Sequence, residues 1–218
     1  MKKEIAPGEG VILEVRPAGE GGRRVRLFSE SRGQQTFFVA RGIMNRCGPG
    51  FLFPFVRLRY SRMETGAGAV LTQYEGKAFF DMMKLSYEEI ARWYYVAELV
   101  MNFFPEGESD PEAYAALVRG ASAAGARNRT VAALILAVQL LALAGSDPAE
   151  EEPMERLRLS GEARALVEAF RRYGWRGPLP VTVKKSAFLE TARYVDDFIS
   201  LYGDVDMKTR GAFLQGNM

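Results

Sequence analysis

The sequence Arg-Arg-Val-Arg-Leu-Phe-Ser, residues 23–29, alternates basic and apolar side chains, and this alternation decides the fold of the first part of the chain. Successive side chains of a β-strand point to opposite faces, so Val25 and Leu27 share one face. The other face collects the side chains left for solvent or a ligand, which are Arg24, Arg26 and Phe28. The stretch therefore predicts a strand with an apolar inner face and a basic outer face.

Four further runs with strand-like composition lie on either side of this stretch, each bounded by glycine, proline or polar residues. They cover residues 10–16, 35–41, 53–60 and 69–75. Alternation within them predicts the inward side chains Val11, Leu13, Val15, Val56 and Leu58. Five short strands bury little surface as an open sheet with two free edges, and closure removes those edges. We therefore expect an OB-like five-stranded β-barrel in residues 1–80.

The remainder of the chain, residues 81–218, has the spacing of helices. Ser86 with Glu89 forms a capping-box pattern, and Asp110 before Pro111 is a second helix start. The pattern predicts five helices, over residues 86–104, from 110 to the glycines at 120–125, and over 128–145, 160–173 and 186–202. The acidic residues 146–153 predict an exposed loop. We expect an α+β protein of two domains, with the barrel followed by an all-α helical domain over residues 81–218.

The charges of the chain divide at the same place. Residues 1–80 contain 13 Lys and Arg against 7 Asp and Glu, whereas residues 81–218 contain 16 against 20. The formal net charge of +2 therefore hides a basic first part and an acidic second part. This asymmetry predicts a polyanionic ligand for the barrel and leaves the binding of protein partners to the helical domain.

The chain contains no histidine and one cysteine, Cys47. This composition excludes a disulfide framework, zinc sites built from Cys and His, and Ser-His-Asp or Cys-His catalysis. The carboxylates at 150–152 and at Asp196-Asp197 are better explained by an acidic loop and a solvated helix face than by a metal site. We expect a protein that is not an enzyme and that uses no cofactor and no metal.

Two stretches bear on whether the chain is exported or enters a membrane. The first residues lack the apolar run of a signal peptide. Residues 131–144 are apolar, but they are fewer than the roughly 20 residues needed to span a bilayer and include Gln139. We therefore expect a cytoplasmic protein that does not associate with membranes.

The predicted outer surface of the barrel is rich in arginine, which combines positive charge with a flat stacking face. The candidate contacts from the barrel are Arg16, Arg24, Arg26, Phe28, Arg41, Arg46, Arg57 and Arg59, with additional charge from Arg62 and Lys77. Further aromatic candidates for stacking on bases are Phe37, Tyr60 and Tyr74. Such a surface predicts binding of single-stranded DNA through phosphate neutralisation and stacking. The alternative is that the arginines only solvate a small barrel and the aromatic residues fill its interior.

Several segments of the chain together resemble the segments of one known protein family. In the barrel these are residues 10–20, Val-Arg-Leu-Phe-Ser-Glu-Ser-Arg-Gly at 25–33, Ala40-Arg41-Gly42 with Arg46, and Leu-Phe-Pro-Phe at 52–55. In the helical part they are Tyr-Val-Ala-Glu-Leu-Val at 95–100, Phe-Pro-Glu-Gly at 104–107 and Met-Lys-Thr-Arg-Gly-Ala-Phe-Leu at 207–214. Together these segments resemble the RecO family of bacterial recombination mediators, and the resemblance covers most of the chain.

The resemblance implies a protein that binds and anneals single-stranded DNA in recombinational DNA repair, with duplex DNA as an open second ligand. It implies RecR and the acidic C-terminal tail of the single-strand DNA-binding protein as partners, and a nucleoid-associated location. Arg41 and Arg46 are DNA-contact candidates on this basis, and Lys208 and Arg210 are further ones. Many members carry four zinc-binding cysteines after the central apolar helix, and this chain has none there.

Two other functions stay open from the sequence. A protein–protein adaptor would use an OB-like barrel with no physiological nucleic-acid ligand, and it would show little salt-dependent binding to oligonucleotides. A metal-dependent nuclease would need a constellation of carboxylates that the sequence does not offer.

Overall fold

The computed structural model describes residues 5–66, 68–125 and 128–215, and its N-terminal part contains five strands. These strands are β1 (Ile5–Ala18), β2 (Gly22–Ser29), β3 (Gly33–Val39), β4 (Val56–Thr65) and β5 (Gly68–Ala78). The sheet closes on itself in the order β1-β2-β3-β5-β4. Neighbouring strands are antiparallel except β3 and β5, which are parallel. The long β1 closes the sheet because its first half pairs with β4 and its second half with β2.

The interior of the closed sheet is filled by the apolar side chains that alternation predicts for β2 and β4. The cluster consists of Ile12, Val25, Leu27, Phe37, Val39, Met44, Val56, Leu58, Tyr60, Leu71 and Tyr74. Met44 comes from α1 (Arg41–Cys47), a short helix between β3 and β4 that packs against β5. The prediction that residues 35–41 form a strand is therefore wrong at its last two residues, because Ala40 is the N-cap and Arg41 the first residue of this helix.

The alternation predicted for β1 is wrong in its first half. Ile12 belongs to the interior cluster and Val15 packs against it, whereas Val11 and Leu13 are fully buried outside that cluster. The register shifts between Ile12 and Glu14, and such a bulge places two residues opposite one and changes which residues face inward. Val11 pairs with Phe28 and Arg57 on the neighbouring strands, so it shares their outer face.

Residues 104–114 cover part of this outer face. The chain divides into two compact units, one formed by residues 1–80 with 104–114 and the other by residues 81–103 with 115–218. In the first unit, Glu106 bridges to Gly33 and Gln34, and the amide of Gly107 donates to the carbonyl of Gln34 at 2.9 Å. The covering segment therefore attaches to the turn that joins β2 and β3.

The helices begin close to where their capping residues predict. They are α2 (Tyr87–Phe103), α3 (Pro111–Ala124), α4 (Arg129–Leu143), α5 (Glu151–Arg156), α6 (Gly161–Arg172) and α7 (Lys185–Tyr202). At α2, Ser86 Oγ accepts from the amide of Glu89 at 3.2 Å, and Glu89 Oε2 accepts from the amide of Ser86 at 3.0 Å. The side chains of Asp110, Asn128 and Ser160 accept hydrogen bonds from backbone amides in the first turns of α3, α4 and α6, respectively. An α+β fold is confirmed.

One predicted loop is partly helical. The acidic residues 146–153 predict an exposed loop, but α5 begins at Glu151 within it, and Pro153 and Met154 are buried. Glutamates in the first turn favour the positive end of the helix dipole, and proline is tolerated there because first-turn amides have no partner within the helix. These effects explain why an acidic, proline-containing segment forms a short helix.

The second unit is organised around α4, which packs against α2 and α6. Eleven residues of α4 are buried. The one polar group at its centre, the side-chain amide of Gln139, donates to the carbonyls of Phe170 and Tyr173 and accepts from the indole of Trp175. No helix within the described residues is both long and apolar enough to cross a membrane.

Candidate nucleic-acid interface

A row of three side chains crosses the outer face of the first three strands. Arg16 of β1 pairs with Arg24 of β2, and Arg24 pairs with Phe38 of β3. Directly paired residues of antiparallel strands place their side chains on the same face, about 5 Å apart. The next outward residue of β2, Arg26, lies between Glu14 and Thr36. The pairing register therefore brings three arginines, one phenylalanine and the carboxylate of Glu14 onto one side of the barrel.

Arg41 extends this surface at one end. A β-carbon added to Gly21, in the turn between β1 and β2, would lie 3.4 Å from Cδ of Arg41. The next residue, Gly22, is covered by the ring of Phe38. Arg41 thus approaches the turn from the start of α1, beside the row described above. We call the group Arg16, Arg24, Arg26, Phe38 and Arg41 the β2 patch.

Three arginines of the β2 patch have no acidic partner. Within residues 5–66, 68–125 and 128–215, Arg24, Arg26 and Arg41 form no ion pair and no side-chain hydrogen bond. Arg16 contacts Glu14 at 2.7 Å, but both side chains are solvent-accessible, and such pairs contribute little free energy. The guanidinium groups of the patch are therefore available to bind phosphates, singly or in bidentate fashion.

Phe38 is the one aromatic residue of the β2 patch, and alternation alone does not identify it. Its side chain is 39% exposed, whereas the adjacent Phe37 is 1% exposed. Two consecutive phenylalanines leave open which one faces out until the register is known. Phe37 pairs with the inward Val25 and Phe38 with the outward Arg24. Val39 faces the interior, and alternation back along β3 from Val39 also places Phe37 inside and Phe38 outside.

The aromatic side chains predicted to stack on bases are buried, so those assignments are wrong. Phe37, Tyr60 and Tyr74 lie in the barrel interior. Tyr60 donates to Gln35 at 3.2 Å and Tyr74 to the carbonyl of Gly48 at 2.9 Å. Burial raises the pKa of Tyr74 to about 12. For these residues the alternative interpretation holds, because they fill the interior.

Phe28 is buried for a different reason. It lies on the outer face, as predicted, but the segment 104–114 covers it completely. Its ring centroid is 5.6 Å from that of Phe104 and 6.4 Å from that of Tyr114. Aromatic pairs at these separations are favourable contacts, so the ring is fixed in a second, external core and has no free face for a base.

Arg57 and Arg59 lie on the outer face of β4 and share one carboxylate. Glu9 of β1 contacts Arg57 Nη2 at 2.5 Å and Arg59 Nε at 3.1 Å, and it accepts from the hydroxyl of Tyr114 at 3.3 Å. Burial acts to raise the pKa of Glu9, but hydrogen bonds from Arg57 and Arg59 outweigh it, and the pKa falls below its ordinary 4.5. Glu9 is therefore ionised at neutral pH and offsets part of the charge of Arg57 and Arg59. For this reason we do not count these two arginines as part of the β2 patch.

Arg46 is also outside the β2 patch. It lies at the end of α1 and lines an open groove of about 650 Å³ with Cys47, Thr72, Gln73 and other residues of β4 and β5. No residue of the β2 patch lines this groove. Of the two residues predicted to add charge, Arg62 is buried and paired with Glu64, while Lys77 lies opposite Arg57 on β5. The predicted basic residues thus occupy several sides of the barrel.

The C-terminal segment that carries Lys208 and Arg210 belongs to the second unit and is held there by acidic side chains. Glu98 accepts from the amides of Lys208 and Thr209 at 2.8 and 2.9 Å. Asp197 contacts Arg210 at 2.7 Å, and Asp196 accepts from the amide of Gly211 at 3.0 Å. The carboxylate pair of α7 therefore anchors this segment, and the charge of Arg210 is offset. A role of either basic residue in binding DNA stays a prediction.

Part of the chain is similar to a known DNA repair protein. DNA repair protein RecO from Pelotomaculum thermopropionicum is 30% identical over 107 residues, which is 48% of this chain and 41% of the relative. The matched region thus spans less than half the length of that relative. No protein-family model matches the chain. The similarity supports the resemblance to the RecO family that the sequence motifs carry.

Proposed function

We propose that this chain acts in DNA repair as a RecO-like recombination mediator, with an OB-like barrel that binds single-stranded DNA on the β2 patch. The observation that carries this proposal is the grouping of Arg24, Arg26 and Arg41, without acidic partners, on one side of a closed five-stranded barrel. Barrels of the OB type commonly receive single strands on their strands and loops. The similarity to a protein named for DNA repair agrees with this assignment.

Binding on this surface is electrostatic in origin. Each phosphate that a guanidinium neutralises releases condensed counterions, so affinity falls as salt rises. Because the guanidinium groups bind the sugar-phosphate backbone, sequence preference is weak. Two strands whose phosphates are neutralised repel each other less, and annealing of complementary strands follows. The chain performs no cleavage or synthesis in this proposal.

The helical unit supplies the protein contacts of the proposed mediator. Its partners are RecR and the acidic C-terminal tail of the single-strand DNA-binding protein, as the family resemblance implies. Residues 81–218 carry a net negative charge, so this unit is less suited than the barrel to a polyanion. Duplex DNA is a weaker second ligand of the barrel.

The test is fluorescence anisotropy of a labelled oligodeoxythymidine across a salt series. The double variant Arg24→Gln/Arg26→Gln should bind roughly tenfold more weakly near 0.1 M salt, because it neutralises two fewer phosphates. Its slope of log affinity against log salt should be shallower by about 1.4, since each phosphate of a single strand that is no longer neutralised reduces the slope by about 0.7.

The matched control is Arg156→Gln/Arg172→Gln, which removes the same charge from exposed arginines of α5 and α6. Each of them contacts a glutamate one helical turn away, and such pairs contribute little. The control should bind as the unchanged chain does. Equal affinity and slope in the β2 patch variant would refute the surface, and binding without salt dependence by the unchanged chain would favour the protein adaptor.

A further inference from the structure

Phe38 exposes an aromatic ring on the outer face of the barrel. Among the described residues of the barrel unit, two aromatic side chains are exposed, Phe38 and Phe51, each at 39%. Leaving apolar surface in water forgoes roughly 25 cal/mol per Å² of burial. Both rings pack on a glycine, Phe51 on Gly76 and Phe38 on Gly22. Phe51 lies in a short turn, whereas Phe38 lies within a strand directly opposite Arg24. The two residues therefore differ in surroundings and not in exposure.

The ring of Phe38 is held in place by the strand beneath it. A β-carbon on Gly22 would lie 2.5 Å from Cε2 and 2.6 Å from Cζ of Phe38, so the ring occupies the space that a side chain at position 22 would fill. Gly22 has ordinary extended backbone angles, so close approach and not backbone conformation explains glycine here. A ring placed before binding loses little conformational entropy when a ligand stacks on it.

The surroundings of Phe38 select the chemistry of that ligand. Arg24 is directly opposite on β2, Arg16 follows on β1, and Arg41 approaches the turn next to Gly22. A ligand that fits must offer a flat apolar face together with negative charge beside it, toward β2 and the β1–β2 turn, whereas the neighbour on the β5 side is Val70. An unpaired nucleotide within a single strand has this combination, since its base is free to stack and a phosphate flanks it on either side. In a duplex the base faces are already covered by neighbouring base pairs.

We propose that Phe38 is a stacking platform for one unpaired base, with Arg16, Arg24 and Arg41 holding the adjacent phosphates, and that this platform makes the barrel prefer single strands to duplexes. The assignment rests on the proposed function, because it names the chemical group that the β2 patch recognises. The arginines alone would bind any phosphodiester chain equally well. The platform adds a contribution from the base to the binding free energy.

The experiment compares two labelled probes with equal numbers of phosphates, an oligodeoxythymidine and the same backbone made of abasic sites. Phe38→Leu should weaken binding of the oligodeoxythymidine roughly tenfold, since the base then has no aromatic ring to stack on, and leave its salt slope unchanged. Binding of the abasic strand should not change. Phe51→Leu is the matched control, and it should bind both probes as the unchanged chain does.

A second readout reports stacking itself. In Phe38→Trp the introduced indole should lose fluorescence when oligodeoxythymidine binds and keep it with the abasic strand. The signal of Trp93 and Trp175 is subtracted with a titration of the unchanged chain. If Phe38→Leu proves unstable, Gly22→Ala provides the same comparison, because the added methyl group displaces the ring.

The outcomes separate this inference from the function on which it rests. If the unchanged chain binds oligodeoxythymidine with a salt dependence, but its ratio of affinities for the two probes is the same in Phe38→Leu, the platform is wrong and the proposed function stands. Equal losses of affinity for both probes would assign Phe38 to packing and overturn the platform as well. If the unchanged chain binds neither probe, the proposed function fails and the platform with it.

Discussion

At the scale of single residues, Glu9 sets the charge of one side of the barrel. Its carboxylate accepts hydrogen bonds from Arg57, Arg59 and the hydroxyl of Tyr114, so two positive charges and one negative charge lie close together. Arg24 and Arg26 of β2 have the same spacing in sequence as the arginines of β4, but neither forms an ion pair within the part of the chain that the structure describes. The nearest paired carboxylate, Glu14, lies opposite Arg26 and contacts Arg16 instead. Identical patterns on two strands therefore present different charges to a ligand.

The lowered pKa of Glu9 predicts a pH dependence of stability. A carboxyl group with a lower pKa in the folded than in the unfolded chain stabilises the fold above its unfolded value, and that contribution is lost as pH falls through the folded value. Glu9→Gln should therefore lower the free energy of unfolding near neutral pH and reduce the decline of that free energy as the pH falls below the ordinary pKa of a glutamate. Urea denaturation at several pH values measures both effects.

The control for this prediction is Glu75→Gln. Glu75 contacts Arg59 at 3.8 Å with both side chains exposed, so its removal should change stability little. If the pH profile of Glu9→Gln is parallel to that of the unchanged chain, Glu9 does not carry the effect.

Residue roles are predictable from sequence only where they follow from alternation. Outward positions for Arg24, Arg26, Arg57 and Arg59 are correct, because the inward residues between them are apolar. The pairing of Glu9 with two arginines about 50 residues later depends on strand register, which alternation does not specify. The exposure of Phe38 and the burial of Phe28 likewise depend on partners from other parts of the chain.

At the scale of elements, the attachment of residues 104–114 to the β2–β3 turn depends on Gly33. This residue has φ of +58°, and a β-carbon there would lie 1.8 Å from the carbonyl oxygen of Glu108. The hydroxyl of Ser109 also donates to the carbonyl of Glu30 at 2.8 Å. Glycine is therefore required both by backbone conformation and by the close approach of the covering segment.

Gly33→Ala should destabilise the barrel unit by about 3 kcal/mol. A left-handed conformation costs alanine about 1 kcal/mol or more, and displacing Glu108 breaks hydrogen bonds made by its neighbours. Gly42→Ala is the matched control, since Gly42 is in α1 with open space around it and alanine is the better helix former. Chemical denaturation compares them, and a loss of stability below about 0.5 kcal/mol in Gly33→Ala would contradict the attachment.

Among the features of the elements, the positions at which helices begin are best predicted from sequence. A cap is a local interaction between residues two or three positions apart. Ser86 and Asp110 cap their helices as predicted. Asn128 and Ser160, at which two further helices are predicted to begin, cap those helices as well. The short α1 and α5 escape such prediction, since each is at most seven residues long and has too few turns to show periodicity. The covering role of 104–114 escapes it because its contacts are with strands about 70 residues earlier.

At the scale of the whole molecule, the proposal assigns nucleic acid to the unit with net positive charge and protein partners to the unit with net negative charge. The division of charge is visible in sequence because it needs only counting. The sequence does not show which basic side chains form one surface, because their grouping follows from the order of strands around the barrel.

This assignment predicts that the chain accelerates annealing of complementary oligonucleotides through the barrel. The rate enhancement should fall as salt rises, in parallel with strand binding, because both follow from phosphate neutralisation. Arg24→Gln/Arg26→Gln should lose most of the enhancement, and Arg156→Gln/Arg172→Gln should keep it. Fluorescence energy transfer between labelled complements measures the rate. Enhancement that survives in the first variant would place annealing elsewhere on the chain.

The barrel is joined least firmly where Phe38 lies. Among the described residues, β3 and β5 share the single paired position of Phe38 and Val70, whereas each other pair of neighbouring strands shares seven or more. Separation of β3 from β5 therefore breaks the fewest inter-strand hydrogen bonds. A ligand that binds only when β3 and β5 are paired stabilises that pairing by mass action. A strand bound on the β2 patch would then make the barrel itself more resistant to opening.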